Sequence, residues 1–443
     1  MAQTQFSQAA PLTKMADGTV KQVNPFSGTE VWTVPGRANR PLTVANPDPT
    51  PINPEKHGQH CVFCTQRVLE SPPEKTRIVR KENGHKIIAS TSVDDLTRPW
   101  EFRRVPNLFE ILSFDYWRKN YGHELPREAA ERRDRYITDP AGKAHVLKVL
   151  QTKAAASGID YDDWIQIPES QRLAEADAFF GGGHDVIISR RHFIDGAEMT
   201  NQLAGSGTLT PTEHEWYMRL TIEAMRDLYA SNRYVRYVQA FQNWLKPAGA
   251  SFDHLHKQLV AIDQRSGNTN HEISRVRANP NVYNEMAVDY AGYQNLIVAE
   301  NRYAVAFAGF GHRYPTLEVF SKSAEPAPWL QSSEEQRGMS DLLHAMHVAT
   351  GPLIATNEEW HHRPIDVDMP MPWRIMLKWR VSTLAGFEGG SKIYVNTIDP
   401  WSLRDRVVPK LLEARANGEI ASSINIATEC TFKVNSLRYN PYL

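Results

Sequence analysis

The sequence predicts an α+β protein that contains two copies of one module, with mostly antiparallel sheets flanked by helices. The main observation is that strand-like segments, a capped helix and further strands follow one another twice along the 443 residues. A charged stretch from about 116 to 176, rich in Ala, Arg, Glu and Lys, has helical periodicity and predicts a helical insertion. The hydrophobic fraction of 41% provides enough apolar material for a core in each copy.

Short sequence patterns predict the strands and the helix of the first copy. Short runs of β-branched and apolar residues predict strands. Thr210, Pro211 and Glu213 combine a capping hydroxyl, a proline at the first helical position and an acid at the third, which predicts a helix start. The predicted elements are strands at 76–79, 86–89 and 184–189, a helix from 210 to about 230, and strands at 234–242 and 254–262.

The second copy repeats this order. Its predicted elements are strands at 295–299 and 304–308, a helix from 332 to about 349, strands at 373–381 and 392–398, and a closing helix at 400–416. We therefore assign residues 21–265 to an N-terminal module and residues 266–443 to a C-terminal module. Residues 1–20 are small and polar, which predicts a mobile tail.

The charge balance and the cysteine content exclude several classes of protein. Lys and Arg number 50, Asp and Glu number 51, and the formal net charge is −1, so we expect no nucleic-acid partner. No apolar run reaches the roughly 18 residues of a membrane helix, and the N-terminus lacks the pattern of a signal peptide. The 3 cysteines are too few for a disulfide framework. A cytoplasmic protein without a membrane partner is expected.

The most informative segment is a His-x-His-x-Gln pattern on a predicted strand. Alternate residues of a strand share a face, so His254, His256 and Gln258 line up together. Polar groups on one face of an otherwise apolar strand are costly unless they are used. A lead-in of small residues, Gly249 to Ser251, precedes the pattern. These features indicate a site rather than a chance pair of histidines.

Cys61 and Cys64 form a C-x-x-C pair. Such a pair supplies two of the four ligands of a closed tetrahedral zinc site, or it acts as a redox pair. The βαβ context of a thioredoxin-like redox motif is missing around these cysteines, which favours zinc.

Several motifs in the same order resemble the galactose-1-phosphate uridylyltransferase branch of the histidine triad superfamily. They cover most of the chain and include the His-x-His-x-Gln strand. The other motifs are Asn24-Pro25-Phe26-Ser27-Gly28 with Arg37-Ala38-Asn39-Arg40-Pro41, Cys61-Val62-Phe63-Cys64 with Glu70-Ser71-Pro72-Pro73-Glu74, Val105-Pro106-Asn107-Leu108-Phe109, Phe241-Gln242-Asn243, and Gly386-Phe387-Glu388 with Ile393-Tyr394-Val395-Asn396.

The resemblance implies a duplicated histidine-triad-like fold and a nucleotidyltransferase. The enzyme would move a nucleoside monophosphate between a nucleotide sugar and a sugar 1-phosphate, through a covalent intermediate on a histidine. The implied catalytic residues are His256, Gln258 and Ser251. Family precedent also implies a homodimer whose sites borrow residues from the partner.

The resemblance further implies the binding residues. The nucleotide and its phosphates would contact Arg37, Arg40, Asn107 and Asn243, and the sugar would contact Phe387 and Glu388. A structural zinc would be held by Cys61, Cys64, His192 and His254, with His184 as the rival for the fourth position. Two alternatives stay open: a phosphorylase or hydrolase of a nucleotide sugar or dinucleoside polyphosphate, and an inactive zinc-binding protein.

The chain departs from the family pattern in its second copy. Where many relatives have His-Trp-His-x-Glu, this sequence has Pro372-Trp373-Arg374-Ile375-Met376. Two histidines of the second metal site that some members hold there are therefore missing, although His312, His361 and His362 remain nearby in the sequence, and the existence of that site stays open. Asp253 and Lys257 replace the residues usual beside the two histidines, but Gln258 and the histidines themselves are present.

Overall fold

The computed structural model describes residues 10–37, 48–82, 84–89 and 91–443. The chain forms two compact units. The middle unit comprises Asn46–Trp244 and Ala250–Gln264, and the flanking unit comprises Met1–Ala45, Leu245–Gly249 and Arg265–Leu443. None of the helices in the described ranges combines the length and apolar composition needed to cross a bilayer.

The first described residues form an antiparallel meander of three strands. They are β1 (Leu12–Lys14), β2 (Val20–Val23) and β3 (Glu30–Thr33). Leu12 and Val20 are buried, and the Leu12 amide donates to the Tyr290 hydroxyl at 3.1 Å. Residues 12–20 of the tail that was predicted to be mobile are thus held by strand pairing.

The middle unit consists of one antiparallel sheet and the helices that pack against it. Its strands are β4 (Thr76–Lys81), β5 (Gly84–Ala89), β6 (Phe102–Pro106), β7 (His184–Ser189), β8 (Tyr237–Trp244) and β9 (His256–Ile262), in the spatial order β8-β9-β7-β6-β4-β5. Its helices are α1 (Phe114–Tyr121), α2 (Arg127–Thr138), α3 (Pro140–Ala156), α4 (Tyr161–Gln166), α5 (Glu169–Ala174), α6 (Asp177–Gly181) and α7 (Pro211–Ser231), with 3-10 helices at Pro54–Lys56, Thr65–Glu70 and Ser206–Thr208.

The predicted helical insertion corresponds to α1 to α6. It has an apolar cluster of its own, which explains how a stretch so rich in charge folds. The buried members of this cluster are Tyr136, Val146, Val149, Leu150, Trp164, Ala176, Phe179 and Phe180. The capping box predicted at Thr210 and Glu213 is present at the start of α7.

The flanking unit has a second antiparallel sheet of the same plan. Its strands are β10 (Ile297–Glu300), β11 (Ala304–Ala308), β12 (Thr316–Ser321), β13 (Thr356–His361), β14 (Arg374–Trp379), β15 (Ile393–Val395) and β16 (Asn425–Ile426). Its helices are α8 (Gly267–Ala278), α9 (Tyr290–Tyr293), α10 (Ser333–Thr350), α11 (Gly386–Ser391) and α12 (Pro400–Ala416), with a π-helical turn at Asn284–Asp289. It also contains 3-10 helices at Lys246–Ala248, Pro328–Leu330 and Ala427–Glu429. The strands follow the spatial order β13-β14-β12-β11-β10-β16.

The two sheets confirm the predicted duplication within an α+β fold. In each unit a strand leads into a long helix with a capping box, and an antiparallel strand pair follows: β7-α7-β8-β9 in the middle unit and β12-α10-β13-β14 in the flanking unit. The division of the chain differs from the predicted modules in two main respects, one of which is that Leu245–Gly249 belongs to the flanking unit. Residues 21–37 also pack in the flanking unit, because β3 pairs in parallel with β15.

A buried ion cluster joins the first strands of the middle sheet to α7. Asp185 is fully buried and accepts hydrogen bonds from Lys75 Nζ at 2.7 Å and from Arg104 Nη2 at 2.6 Å. Arg104 also reaches Asp227 at 2.7 Å, whose side chain is partly exposed. A carboxylate between two buried cations satisfies both, and its removal leaves both charges without their shared partner.

We therefore expect Asp185→Asn to lower the free energy of unfolding by about 3–5 kcal/mol, because buried Lys75 loses its counter-charge and Arg104 loses one of its two carboxylate partners. Urea unfolding at neutral pH measures this. Asp227→Asn is the matched control, since its partly exposed side chain should contribute less than about 1 kcal/mol. Equal losses in the two variants would contradict the central role of Asp185.

Candidate functional site

Cys61 and Cys64 lie in a tight turn of the middle unit, just before the 3-10 helix Thr65–Glu70. The Cys64 amide donates to the Cys61 carbonyl at 3.0 Å, and the Cys61 amide donates to Cys64 Sγ at 3.4 Å. The two-residue spacing closes this turn and brings the two sulfur atoms to 3.8 Å from each other.

Two histidines complete a cluster around these sulfur atoms. His192 follows β7 and His254 precedes β9, and the antiparallel pairing of these strands places the two residues at the same end of the sheet. Cys61 Sγ is 3.4 Å from Nδ1 of each histidine, and Cys64 Sγ is 3.5 Å from His192 Nδ1 and 3.8 Å from His254 Nδ1. The structure thus brings the four predicted ligands together, with His192 rather than His184 in the fourth position.

The geometry of this cluster fits a tetrahedral metal ion. Zinc–sulfur bonds of about 2.3 Å and zinc–nitrogen bonds of about 2.0–2.1 Å imply edges of about 3.8 Å between sulfurs and about 3.6 Å between sulfur and nitrogen. His254 Nε2 donates to the Ser189 carbonyl at 2.6 Å, which leaves the Nδ1 lone pair directed toward the sulfurs. The hydrogen bond from the Cys61 thiol holds the pKa of Cys64 far below its ordinary value, which favours the thiolate. These four side chains could hold a metal ion.

His256 begins β9 and lies directly after this cluster. Its ring is buried, and its Nδ1 is 2.7 Å from the carbonyl oxygen of His254. Because a carbonyl only accepts, Nδ1 carries the proton and Nε2 presents a lone pair. Burial lowers the pKa of His256 to about 4, so the ring is neutral at neutral pH. Phe63, inside the C-x-x-C turn, packs on the ring at a centroid distance of 5.2 Å.

Gln258 shares the His256 face and belongs to a polar cluster with Asn107 and His184. Gln258 lies opposite Val186 and His184 lies opposite Val260, so the two polar residues are diagonal neighbours on one face. Gln258 Oε1 is 3.0 Å from His184 Nε2 and 3.4 Å from Asn107 Nδ2. His184 is therefore part of this cluster rather than of the cysteine–histidine cluster.

Two other predicted residues flank this face, and Lys257 points away from it. Asn243 is half-buried on β8, where strand alternation puts it on the face of Phe241, the residue opposite Gln258. Ser251 is exposed in the bend before β9. Lys257 is fully buried on the opposite face, 4.7 Å from the ring centroid of Tyr217 on α7, and packs there as part of the core.

A cavity of about 760 Å³ in the flanking unit brings together three further predicted residues. Arg37, Phe387 and Glu388 all line it. Phe387 is 53% exposed, and its ring centroid lies 6.3 Å from that of Trp32. Both Glu388 oxygens accept backbone N–H groups, from Ala385 at 2.8 Å and from Val395 at 3.1 Å. Arg40 lies outside the described residues.

The sequence did not point to two residues of this cavity, Arg380 and Trp32. Arg380 follows β14 and donates to Asn357 Oδ1 at 2.6 Å, and it lines the cavity together with Trp32 on β3. Neither residue stands in a motif with a chemical signature. Only the pairing of β3 with β15 brings Trp32 and Val395 to the same cavity.

In the second copy an arginine stands at the position that corresponds to His256. Arg374 begins β14 opposite Phe320, as His256 begins β9 opposite Ile188. Its guanidinium pairs with Glu272 at 2.5 Å and lies over the rings of Tyr283 and Phe320. The position therefore carries a buried structural arginine in place of an imidazole.

Comparisons with known proteins give a family and a fold. A family model described as a domain of unknown function, DUF4921, matches residues 15–439. ADP-glucose phosphorylase from Arabidopsis thaliana, solved with bound ADP-glucose, is similar over 88% of this chain and 98% of its own, with 18% identity and a TM-score of 0.57. A GalT-like protein from Arabidopsis thaliana has the same coverage, 17% identity and a TM-score of 0.56.

A uridylyltransferase structure is similar over 52% of this chain and 75% of its own, with 17% identity and a TM-score of 0.42. No curated protein matches the sequence. The chain therefore belongs to the family described as DUF4921, and its fold is similar to that of the ADP-glucose phosphorylase and of the GalT-like protein.

Proposed function

We propose that this protein transfers a nucleoside monophosphate from a nucleotide sugar to a phosphate acceptor, through a covalent intermediate on His256 Nε2. The observation that carries the proposal is the fixed tautomer of His256, whose Nδ1–H donates to the His254 carbonyl at 2.7 Å. A neutral imidazole with a free Nε2 lone pair is a nucleophile that needs no prior loss of a proton.

The reaction has two balanced steps. In the first, Nε2 attacks the α-phosphorus of the nucleotide sugar, a P–N bond forms, and the bond from the α-phosphorus to the bridging oxygen breaks to release sugar 1-phosphate. In the second, an oxygen of the acceptor phosphate attacks the same phosphorus, and the P–N bond electrons return to Nε2. The Nδ1–H bond to the His254 carbonyl stabilises the ring while it carries positive charge in the intermediate.

Gln258 favours a nucleotidyl intermediate that reacts with a phosphate acceptor and is not hydrolysed by water. Its amide can donate to a phosphoryl oxygen but cannot deliver or remove a proton from water, unlike a third histidine. Ser251, Asn107 and Asn243 are proposed to contact the nucleotide on the same side, as the family resemblance implies. Their placement around β9 is compatible with this role.

We propose that the metal is zinc and that its role is structural. Cys61, Cys64, His192 and His254 are a closed set of four ligands, which leaves no position for substrate. A zinc ion would supply Lewis-acid binding of two thiolates and two imidazoles. The chain itself then positions His256, since the same residue, His254, provides a ligand nitrogen and the carbonyl that orients the nucleophile.

We propose that the cavity in the flanking unit binds the phosphate and sugar portions of a substrate. Two guanidinium groups, Arg37 and Arg380, offer forked donors for phosphate. Phe387 offers a partly exposed ring face, and Glu388 keeps lone pairs for sugar hydroxyls besides its two backbone bonds. A homodimer with shared sites remains part of this proposal.

Arg37→Ala is expected to lower kcat/KM for the nucleotide sugar by about 10- to 100-fold, because a charge-assisted hydrogen bond contributes about 1.5–3 kcal/mol. Steady-state kinetics measures the effect. Arg302→Ala is the matched control, since Arg302 is exposed and does not line the cavity. An unchanged kcat/KM in Arg37→Ala would contradict the proposed binding of substrate in this cavity.

The acceptor distinguishes two versions of the activity. Sugar 1-phosphate makes the enzyme a uridylyltransferase-like transferase, whereas inorganic phosphate makes it a phosphorylase. The phosphorylase version is favoured as a second candidate because a solved relative in fold, similar over 88% of this chain, is an ADP-glucose phosphorylase.

The protein should be incubated with UDP-, GDP- and ADP-sugars, each with either acceptor, and the products separated by chromatography. Turnover with one acceptor and not the other selects the version. No turnover with any pair would favour the inactive zinc-binding protein.

A further inference from the structure

The polar cluster on the His256 face contains a histidine whose tautomer is set by the backbone. The Ile111 amide donates to His184 Nδ1 at 3.3 Å. Because a backbone N–H only donates, Nδ1 is unprotonated and the ring proton is on Nε2. His184 is 2% exposed, and its backbone carbonyl accepts from the Asn107 amide at 2.7 Å, so both the backbone and the side chain of His184 are held.

The proton on His184 Nε2 determines how the Gln258 amide is turned. Gln258 Oε1 is 3.0 Å from this nitrogen. Asn107 Nδ2 lies 3.1 Å from His184 Nε2 and 3.4 Å from Gln258 Oε1. Because a protonated Nε2 has no lone pair to accept with, the Asn107 amide donates to Gln258 Oε1, which thus accepts from two donors. Asn107 is itself fixed, since its Oδ1 accepts from the Phe109 amide at 2.9 Å. A flipped Gln258 would place its NH2 group against both donors. The oxygen therefore stays on the side of His184, and the NH2 group points away from it.

We propose that His184 is a positioning residue, which holds the Gln258 amide with its NH2 group available to the phosphoryl group transferred at His256. The inference rests on the proposed function. With the amide in this orientation, its N–H groups stabilise the negative oxygens of the phosphoryl group in transit. With the amide reversed, its oxygen would repel them. His184 contacts neither the substrate nor the nucleophile in this scheme and acts through Gln258 alone.

The kinetic test compares two replacements of His184. His184→Phe keeps a ring of similar size and removes the donor, and we expect the rate of nucleotidyl-enzyme formation to fall by about 10- to 100-fold. His184→Gln supplies a donor near the former Nε2 position and should restore the rate to within about threefold of wild type. KM for the nucleotide sugar should change much less than the rate, because the amide acts on the transferring group.

A double-variant cycle separates positioning from a general structural effect. In a Gln258→Ala background, His184→Phe should cause no further loss, since the side chain it orients is gone. Additive losses, or an unchanged rate in His184→Phe, would overturn the proposal. Metal content and thermal midpoint, measured for every variant, should match the wild-type values if the effect is local.

The positioning role of His184 can also be tested without measuring turnover, so that its failure is distinguishable from failure of the proposed transfer reaction. Long-range proton–nitrogen NMR of histidine-labelled protein reports which ring nitrogen of His184 is protonated. A proton on Nε2, with a Gln258 side-chain amide that broadens or shifts in His184→Phe and not in His184→Gln, is the expected result. A proton on Nδ1 would overturn the positioning role even if the protein forms a covalent intermediate. Absence of that intermediate with the expected NMR result would instead reject the proposed function.

Discussion

His256→Ala is expected to abolish nucleotidyl transfer, with a loss in kcat on the order of 10⁴-fold or more, because the variant has no group to form the P–N bond. The loss should appear in the first half-reaction by itself, which isotope exchange between nucleotide sugar and sugar 1-phosphate measures without the second acceptor. The fold should survive, since His256 contributes one buried ring at the edge of the Phe63 contact.

The control for this variant is His271→Ala. His271 is exposed on α8 and its ring contacts Arg275 at 3.5 Å, so its removal should leave kcat unchanged. Substantial exchange in His256→Ala, with correct folding shown by circular dichroism, would mean that the two phosphates react by direct displacement. That result would contradict the double-displacement mechanism while leaving the binding sites in place.

Cys64→Ser is expected to release the metal ion and to destabilise the middle unit. Cys64 is 2% exposed, and replacement of one of four ligands weakens a closed site strongly. If about 3 kcal/mol of stability is lost, the thermal midpoint falls by roughly 6–12 °C for a unit of this size. Activity should fall as well, because His254 orients His256 through its carbonyl.

Cys430→Ser provides the matched control, since Cys430 is the third cysteine and is not a member of the cluster. Elemental analysis by mass spectrometry should find about one zinc per chain in wild type and in Cys430→Ser, and much less in Cys64→Ser. A chelator should reproduce the loss of stability in wild type. Full zinc content in Cys64→Ser would contradict the assignment of the ligands.

Much of the fold could be predicted because its signals are local. The capping residues Thr210 and Ser332 mark the starts of the two long helices, and the periodicity of 116–176 marks the insertion. Part of the cysteine–histidine cluster could also be predicted from short spacings. The C-x-x-C spacing brings two thiols together, and the His-x-His spacing places two imidazoles on the same face of a strand. Motif order then supplied the resemblance, and with it His192 as the fourth ligand.

The parts that sequence did not predict depend on long-range pairing. β3 and β15 are three to four residues long and pair across most of the chain, and no local pattern selects such a partner. For the same reason Leu12–Lys14, within the segment predicted to be mobile, form β1. The role of His184 likewise follows only from the register of β7 against β9, which places it diagonally to Gln258.

Intact-protein mass spectrometry detects the covalent intermediate on which the proposed mechanism depends. The protein is mixed with labelled UDP-, GDP- and ADP-sugars without an acceptor, and the adduct is mapped by peptide sequencing. We predict one nucleoside monophosphate per chain, attached to His256, which disappears when the acceptor is added and never forms in His256→Ala. Turnover of nucleotide sugars without an adduct at His256 would contradict the covalent mechanism.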